Sequence, residues 1–317
     1  MAMDLTAIIV NFNTEGLLRN AIGRLQAAAA RMSLKIAIID NASRDNSVAL
    51  IKNEFPDCHL IANPTNVGFA RANNQALDLV EGRYVLLLNT DAFVSADTLY
   101  KTIAYMDSHP RCGILGVRLI GRDGALQPSA RYFPTPWNLF LARTGLHRLF
   151  NGVRMVDDMA WDHASVRQCD WVPGCYFLVR KAVIDQIGLF DPRYFLYYEE
   201  IDHCLAARKA GWEVIFFADT TVVHVGGESA KTTGKITAGG RQIEAMQIES
   251  ELLYFRKNHG LSGVWAHVLL TFAADGIVLL KHLLRRKSSA NPRPTTAHIA
   301  LVWSLFRRTA WATRPTR

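Results

Sequence analysis

The first ninety residues alternate apolar runs with amphipathic stretches, and each apolar run stops on a polar side chain. LTAIIVNFN (5–13), LKIAIID (34–40), CHLIAN (58–63) and RYVLLLNTD (83–91) are strand-like and largely apolar on both faces. EGLLRNAIGRLQAAAARM (15–32), residues 43–54 with Ser43 as N-cap, and GFARANNQALDLV (68–80) carry helical spacing. That alternation demands an α/β fold: one Rossmann-like, mainly parallel sheet flanked by helices on both faces. Ligands of such sheets bind beyond the carboxyl ends of the strands. Those ends are Asn11-Phe12-Asn13, Asp40-Asn41, Asn63 and Asn89-Thr90-Asp91, which we read as one rim of one site.

Neither common phosphate-cradling loop is present. NFNTEG follows the first strand where a dinucleotide fold would carry G-x-G-x-x-G, and no Walker lysine motif occurs. A bound phosphate therefore needs another neutraliser, and a metal ion on a carboxylate supplies one. Further along, residues 95–110 read as a helix with Ser95 as N-cap. Residues 171–191 read as strand, turn and helix, 194–212 as an aromatic entry to a helix, and 213–225 as a strand pair or one long strand ending in His224. The irregular region to about residue 170 holds Trp137 and Trp161, which with Trp171 are candidate ligand-stacking platforms.

Charge excludes one function class. The net charge is +8, but nine of the 36 basic residues and none of the 28 acidic ones lie between Lys281 and Arg317. The remainder is close to neutral, so no basic face for nucleic acid is expected on the folded body. Five scattered cysteines without a C-x-x-C point to reduced thiols and a cytoplasmic setting. The opening residues lack a basic n-region, so no signal peptide is expected. Residues 264–287 and 297–314 read as two amphipathic helices rich in Trp, Phe and Leu with flanking Lys and Arg. The first carries His267, Thr271 and Asp275 as a polar stripe, and its uncharged run falls short of the ~20 residues a span needs. Such helices suit an interfacial anchor on the inner face of the cell membrane, or packing on protein, including a homodimer interface.

AIIVNFN, IIDNASRDNS, NPTNVGFARANNQAL, VLLLNTDAFV, VPGCYFLVRKAVIDQIGLFD, FLYYEEIDHCLAARKAGW and VVHVGGES occur in that order over residues 5–230. Together they resemble the family 2 inverting glycosyltransferases of GT-A fold, in particular the rhamnosyltransferase-like group. The resemblance implies transfer of a sugar, often rhamnose from dTDP-rhamnose and otherwise from a UDP-sugar, to a lipid-linked glycan during surface polysaccharide or cell-wall assembly. It divides the chain into a GT-A domain over 1–260 and a C-terminal extension over 261–317. The domain has a nucleotide-binding half to about residue 110 and an acceptor half over 111–260.

The resemblance also assigns roles. Asp91 matches the metal carboxylate of the family's D-x-D-type motif, although Asn89-Thr90-Asp91 offers one Asp. His224 matches the distal histidine, and the pair implies Mn²⁺ or Mg²⁺. The general base falls in the Glu199-Glu200 step, with Glu200 preferred and Glu199 and Asp202 as support. Adjacent carboxylates raise each other's pKa, which suits a base. Asn11, Asn13, Asp40, Asn41, Asn66, Gly68, Arg71, Asn73 and Asn89 are the nucleotide-binding candidates, with Arg71 pairing with Asp40 or stacking on the base. Residues 226–242 are expected to form either a loop closing on the diphosphate, through Lys231 or Arg241, or an exposed linker. Two other classes fit the same sheet: a nucleotidyltransferase or pyrophosphatase, and a non-catalytic nucleotide-sugar-binding scaffold.

Overall fold

The computed structural model describes residues 3–150, 152–226, 241–284 and 293–317. The strands are β1 (Leu5–Asn11), β2 (Leu34–Asp40), β3 (His59–Ala62), β4 (Tyr84–Leu88), β5 (Ala92–Val94), β6 (Cys112–Ile120), β7 (Leu126–Gln127), β8 (Arg167–Gln168), β9 (Tyr176–Arg180) and β10 (Glu213–His224). The helices are α1 (Glu15–Ala28), α2 (Ser47–Glu54), α3 (Phe69–Asn74), α4 (Thr98–Ser108), α5 (Pro136–Thr144), α6 (Lys181–Ile187), α7 (Glu199–Lys209), α8 (Arg241–Leu284) and α9 (Arg293–Arg308).

One sheet runs β3-β2-β1-β4-β9-β6-β10-β5. The expected parallel ladder occupies its first half. β1 pairs with β2 from Leu5↔Leu34 to Asn11↔Asp40, so the two strands end level and bring their terminal polar side chains together. β9 enters antiparallel between β4 and β6, so the sheet is mixed at its centre. Successive strand residues point to opposite faces. Ile9, Ile38 and Leu86 pack beneath α1 and α4, whereas Ile8, Ile39 and Leu87 face the core of the other side.

Two expected caps are spent elsewhere. The Ser43 hydroxyl accepts from the Asn11 side chain and the Asn13 amide, and α2 starts only at Ser47 with Asn46 at the cap position. The Ser95 hydroxyl donates to the Thr221 carbonyl of β10, and α4 starts at Thr98 after Asp97.

The C-terminal helices complete the second core. Leu252 and Phe255 of α8, with Val302 and Phe306 of α9, belong to the same cluster as Ile8 and Val85. α8 breaks at Gly260, whose φ of 69° and ψ of −165° belong to no helix. By length and composition α8 is long and apolar enough, over Gln242–Lys281, to cross a membrane. The uncharged run expected to fall short of a span is thus part of a longer helix. Asp275 is in fact fully buried, accepting from the Arg143 guanidinium and from His298 Nδ1. His267 is buried as well, so the polar stripe faces protein. The outward stripe is Ser262, Ala266, Leu269, Ala273, Gly276, Leu280 and Leu284, without a charge. All five cysteines are free thiols.

Candidate active site

The polar strand ends form a network before they form a site. Asn11 Nδ2 donates to Asp40 Oδ2 at 2.7 Å, while Asp40 Oδ1 accepts from the Ser43 amide. The Thr14 hydroxyl lies 2.6 Å from Asn11 Oδ1 and 2.8 Å from the Thr90 hydroxyl. This buried chain runs from the end of β2, through the turn after β1, to the residue beside Asp91. It satisfies polar groups that burial would otherwise penalise, and it fixes the Asn89-Thr90-Asp91 step.

Beside that step lies a cavity of about 350 Å³. Asp91, His224, Glu199 and Glu200 all belong to its lining. His224 ends β10, which pairs antiparallel with β5 in the register His224↔Ala92 and so stands next to Asp91. The Val225 amide donates to the Asp91 carbonyl. His224 Nε2 is 3.7 Å from Asp91 Oδ1. Burial lowers the pKa of His224, the Asp91 charge opposing this, so the ring favours its neutral form. Gln127 of β7 grips His224 twice: its Nε2 donates to the His224 carbonyl at 2.9 Å and its Oε1 lies 2.8 Å from His224 Nδ1.

Glu199 and Glu200 open α7. Tyr197 and Tyr198 immediately before them both adopt left-handed backbone, with φ of 69° and 70°. Consecutive aromatic residues in that region are strained, and surrounding contacts must hold them. The Tyr198 hydroxyl donates to Glu251 Oε1 at 2.8 Å, and the Ser250 hydroxyl donates to the Leu196 carbonyl, both from α8. Each glutamate keeps one buried oxygen without a hydrogen-bond partner among the described residues. Burial raises both pKa values. Glu199 rises well above the usual carboxylate range, pushed further by the charge of Glu200. Helix-start amides and Arg131 pull Glu200 partly back. Adjacent and buried, the two carboxyls titrate as one coupled pair, raised above the ordinary carboxylate range.

Residues 6–161 match the family model described as glycosyl transferase family 2. That segment is a family 2 glycosyltransferase domain. The N-acetylglucosaminyl-diphospho-decaprenol L-rhamnosyltransferase of Mycobacterium tuberculosis is 26% identical over 308 residues, covering 91% of this chain and 95% of that one. The dTDP-rhamnosyl transferase RfbF of Shigella flexneri is 24% identical over 267 residues, 82% of each chain. Among solved structures, the mannosyltransferase PcManGT from Pyrobaculum calidifontis, in complex with GDP-Man and Mn²⁺, superposes with a TM-score of 0.57 at 14% identity. That superposition covers 99% of this chain and 89% of the other, and it bears on the fold, which is the expected GT-A arrangement.

Within the glycosyltransferase, Asn41, Asn66, Gly68 and Asn89 line the cavity with Asp91, His224, Glu199 and Glu200. The other candidates lie outside that lining. Asn11 and Asp40 are consumed by each other, and Asn13 by the Ser43 hydroxyl and the Arg44 amide. The Arg71 side chain neither pairs with Asp40 nor reaches the cavity; its Nε donates to the Pro192 carbonyl. Asn73 folds back onto the Phe69 carbonyl. Asp202 accepts from Lys257 and Asn258 of α8 and supports that packing rather than the glutamates. Gly68 permits a close approach, but to protein: the Phe69 amide donates to the Phe195 carbonyl at 2.7 Å. None of the three tryptophans lines the cavity. Trp171 is buried with its ring N–H on the Tyr132 carbonyl, Trp161 stacks beneath Arg167, and Trp137 stacks on Phe140. Lys231 lies outside the described residues, as does the side chain of Arg241.

The aromatic run 194–198 before the glutamates reads as a pocket wall in the sequence; the rest of the apolar wall does not. Val10 and Phe12 face the cavity, one step out of phase with Asn11 and Asn13. The two-residue period of a strand carried that signal. Phe195, Leu196 and Tyr197 add to the wall, and Ile243 and Met246 of α8 close it. Gln127 was also missed, and no local pattern marks it.

Proposed function

We propose that the cavity binds a nucleotide-sugar and an acceptor hydroxyl together and transfers the sugar with inversion. The observation that carries this is the common cavity of Asp91, His224, Glu199 and Glu200. A buried carboxylate oxygen and an imidazole nitrogen 3.7 Å apart suit a divalent cation that keeps other positions for water and phosphate oxygens. Asp91 and His224 would hold Mn²⁺ or Mg²⁺; among the described residues no three acidic, His or Cys side chains are placed to hold one ion together. Bound there, the cation would offset the charge that develops on the leaving diphosphate.

The remaining chemistry belongs to the chain. Glu200, deprotonated, takes the proton of the acceptor hydroxyl. The oxygen attacks the anomeric carbon on the face opposite the diphosphate, the carbon–oxygen bond to phosphate breaks, and its electron pair leaves on the nucleoside diphosphate. Glu199, held protonated by its burial, keeps negative charge from accumulating beside the base. Asn41, Asn66, Gly68 and Asn89 belong to the nucleotide side, and the walls of Phe12, Phe195 and Tyr197 exclude water.

The names of the relatives favour rhamnose from dTDP-rhamnose and a lipid-linked diphospho-sugar acceptor. The outward stripe of α8 supports seating on a membrane surface, because a helix of a soluble body normally turns its polar stripe outward and its apolar stripe inward. From Gly276 to Arg317 the chain carries no acidic residue, which favours anionic headgroups. The deciding experiment incubates the purified chain with Mn²⁺, dTDP-rhamnose or UDP-sugars, and a polyprenyl-diphospho-sugar. Release of dTDP with an inverted glycoside, seen by NMR, is expected. Donor cleavage independent of acceptor and of Glu200 would instead favour the pyrophosphatase class.

A further inference from the structure

We propose that Gln127 is a positioning residue that fixes the tautomer of His224, so that the Nε2 lone pair faces the cavity. The inference rests on the reading of Asp91 and His224 as the cation-holding pair.

The argument is one of donors and acceptors. The His224 carbonyl can only accept, so the atom of the Gln127 amide 2.9 Å from it must be the N–H₂ end. The amide oxygen is thereby turned to His224 Nδ1, at 2.8 Å. An amide oxygen only accepts, so Nδ1 carries the hydrogen. In a neutral ring the lone pair is then on Nε2, the nitrogen facing Asp91 Oδ1 at 3.7 Å. The flipped amide would set its oxygen against the His224 carbonyl and is excluded by repulsion between two acceptors. Lone pair and carboxylate thus face each other with no proton between them, the arrangement a cation would bridge.

Gln127 is well placed to impose this. It occupies β7, paired to β6 through Leu119↔Gln127, while His224 ends β10, the neighbour of β6 on the same sheet. The grip includes the His224 backbone, so it fixes both the ring and the strand end that bears it. A ligating imidazole generally has its second nitrogen held in this way, and loss of the holder typically weakens metal binding about 10–100-fold.

Three full-length variants test the proposal: Gln127→Leu, Gln127→Glu and His224→Ala. ¹⁵N NMR of histidine-labelled, metal-free protein reads the tautomer, and Mn²⁺ titration by EPR with dTDP present reads affinity. The parent is expected to show Nδ1–H at His224. Gln127→Leu should lose that preference and bind Mn²⁺ about 10–100-fold more weakly. Gln127→Glu keeps an acceptor for Nδ1–H but loses the donor to the His224 carbonyl, so it should keep the Nδ1–H tautomer and weaken Mn²⁺ binding less than Gln127→Leu, which separates positioning of the ring from general damage to the fold. Retention of either the tautomer or the affinity in Gln127→Leu overturns the proposal. If His224→Ala binds Mn²⁺ as tightly as the parent, the cation reading itself fails, whatever the tautomer proves to be.

Discussion

A Cβ placed on Gly68 would stand 2.7 Å from the carbonyl oxygen of Phe195. These two residues stitch the first half of the sheet to the turn that carries the glutamates. Gly68 has φ of 88° and ψ of 164°, a region essentially reserved for glycine. Gly68→Ala should therefore cost roughly 2–4 kcal/mol, the sum of backbone strain and a backbone clash that cannot relax locally. Chemical denaturation reads the loss; a change below about 1 kcal/mol would mean the turn moves freely, against the contact described.

Removing the base should separate chemistry from binding. Glu200→Gln is expected to lower the transfer rate about 10²–10⁴-fold while leaving nucleoside diphosphate affinity close to the parent. Glu199→Gln, which mimics the protonated acid, should cost far less. Equal losses in both variants would remove the distinction drawn between them.

The pH profile follows from the same pair. A base works only when unprotonated, and burial raises the pKa of Glu200. Activity should therefore fall as pH drops through a limb lying above the ordinary carboxylate range, and Glu200→Gln should abolish that limb. A limb at the normal glutamate value would show the carboxylate to be solvated.

His203 gives stability a separate pH dependence. It is buried between Phe177 and Phe190, and burial lowers its pKa to about 4. Its unfolded value is about 6.5, so the unfolded chain binds the extra proton between those limits. Stability is therefore full above about pH 6.5 and is lost as pH falls, by about 2 kcal/mol at pH 5. His203→Gln should flatten that slope in denaturation midpoints measured from pH 7 to pH 5.

Asp202 and Lys257 separate support of the fold from support of catalysis. Lys257 Nζ lies 2.7 Å from Asp191 and 2.6 Å from Asp202. Lys257→Met leaves the buried Asp202 carboxylate with Asn258 as its remaining side-chain partner among the described contacts, and should cost about 2 kcal/mol, the partial exposure of the lysine tempering the loss. Turnover of the folded fraction should not change. A selective fall in the rate constant would return Asp202 to the reaction.

The outward stripe of α8 predicts binding to vesicles. Co-sedimentation with phosphatidylglycerol vesicles should be strong at low salt and weaker with neutral lipid. The double change Leu269→Glu and Leu280→Glu should release the protein without altering its melting temperature. Undiminished sedimentation would point to another surface.

Much of this molecule is written in local pattern. Strand and helix alternation gives the sheet because periodicity is a local property, and the register of β1 on β2 follows from level strand ends. The polar rim was legible as a cluster, but the identity of its partners was not. Asn11, Asp40 and Thr14 are residue types equally suited to a ligand or to one another, and only the pairing Asn11↔Asp40 decides. Asp91, His224 and Glu200 were legible because their flanking residues carry the family resemblance. Gln127 was not, since what defines it is a contact with a residue 97 positions away.

Segment 6–161, which carries the family match, ends before Glu199, Glu200 and His224. The strained turn that aims the glutamates is gripped from α8, by Ser250 on Leu196 and Glu251 on Tyr198. A fragment trimmed to the matched segment would retain the cradle and forfeit the reactive groups. One trimmed ahead of Arg241 would retain those groups but leave their turn held by the Phe69–Phe195 hydrogen bond without the contacts from α8, so the smallest working unit of this transferase is expected to include its first C-terminal helix.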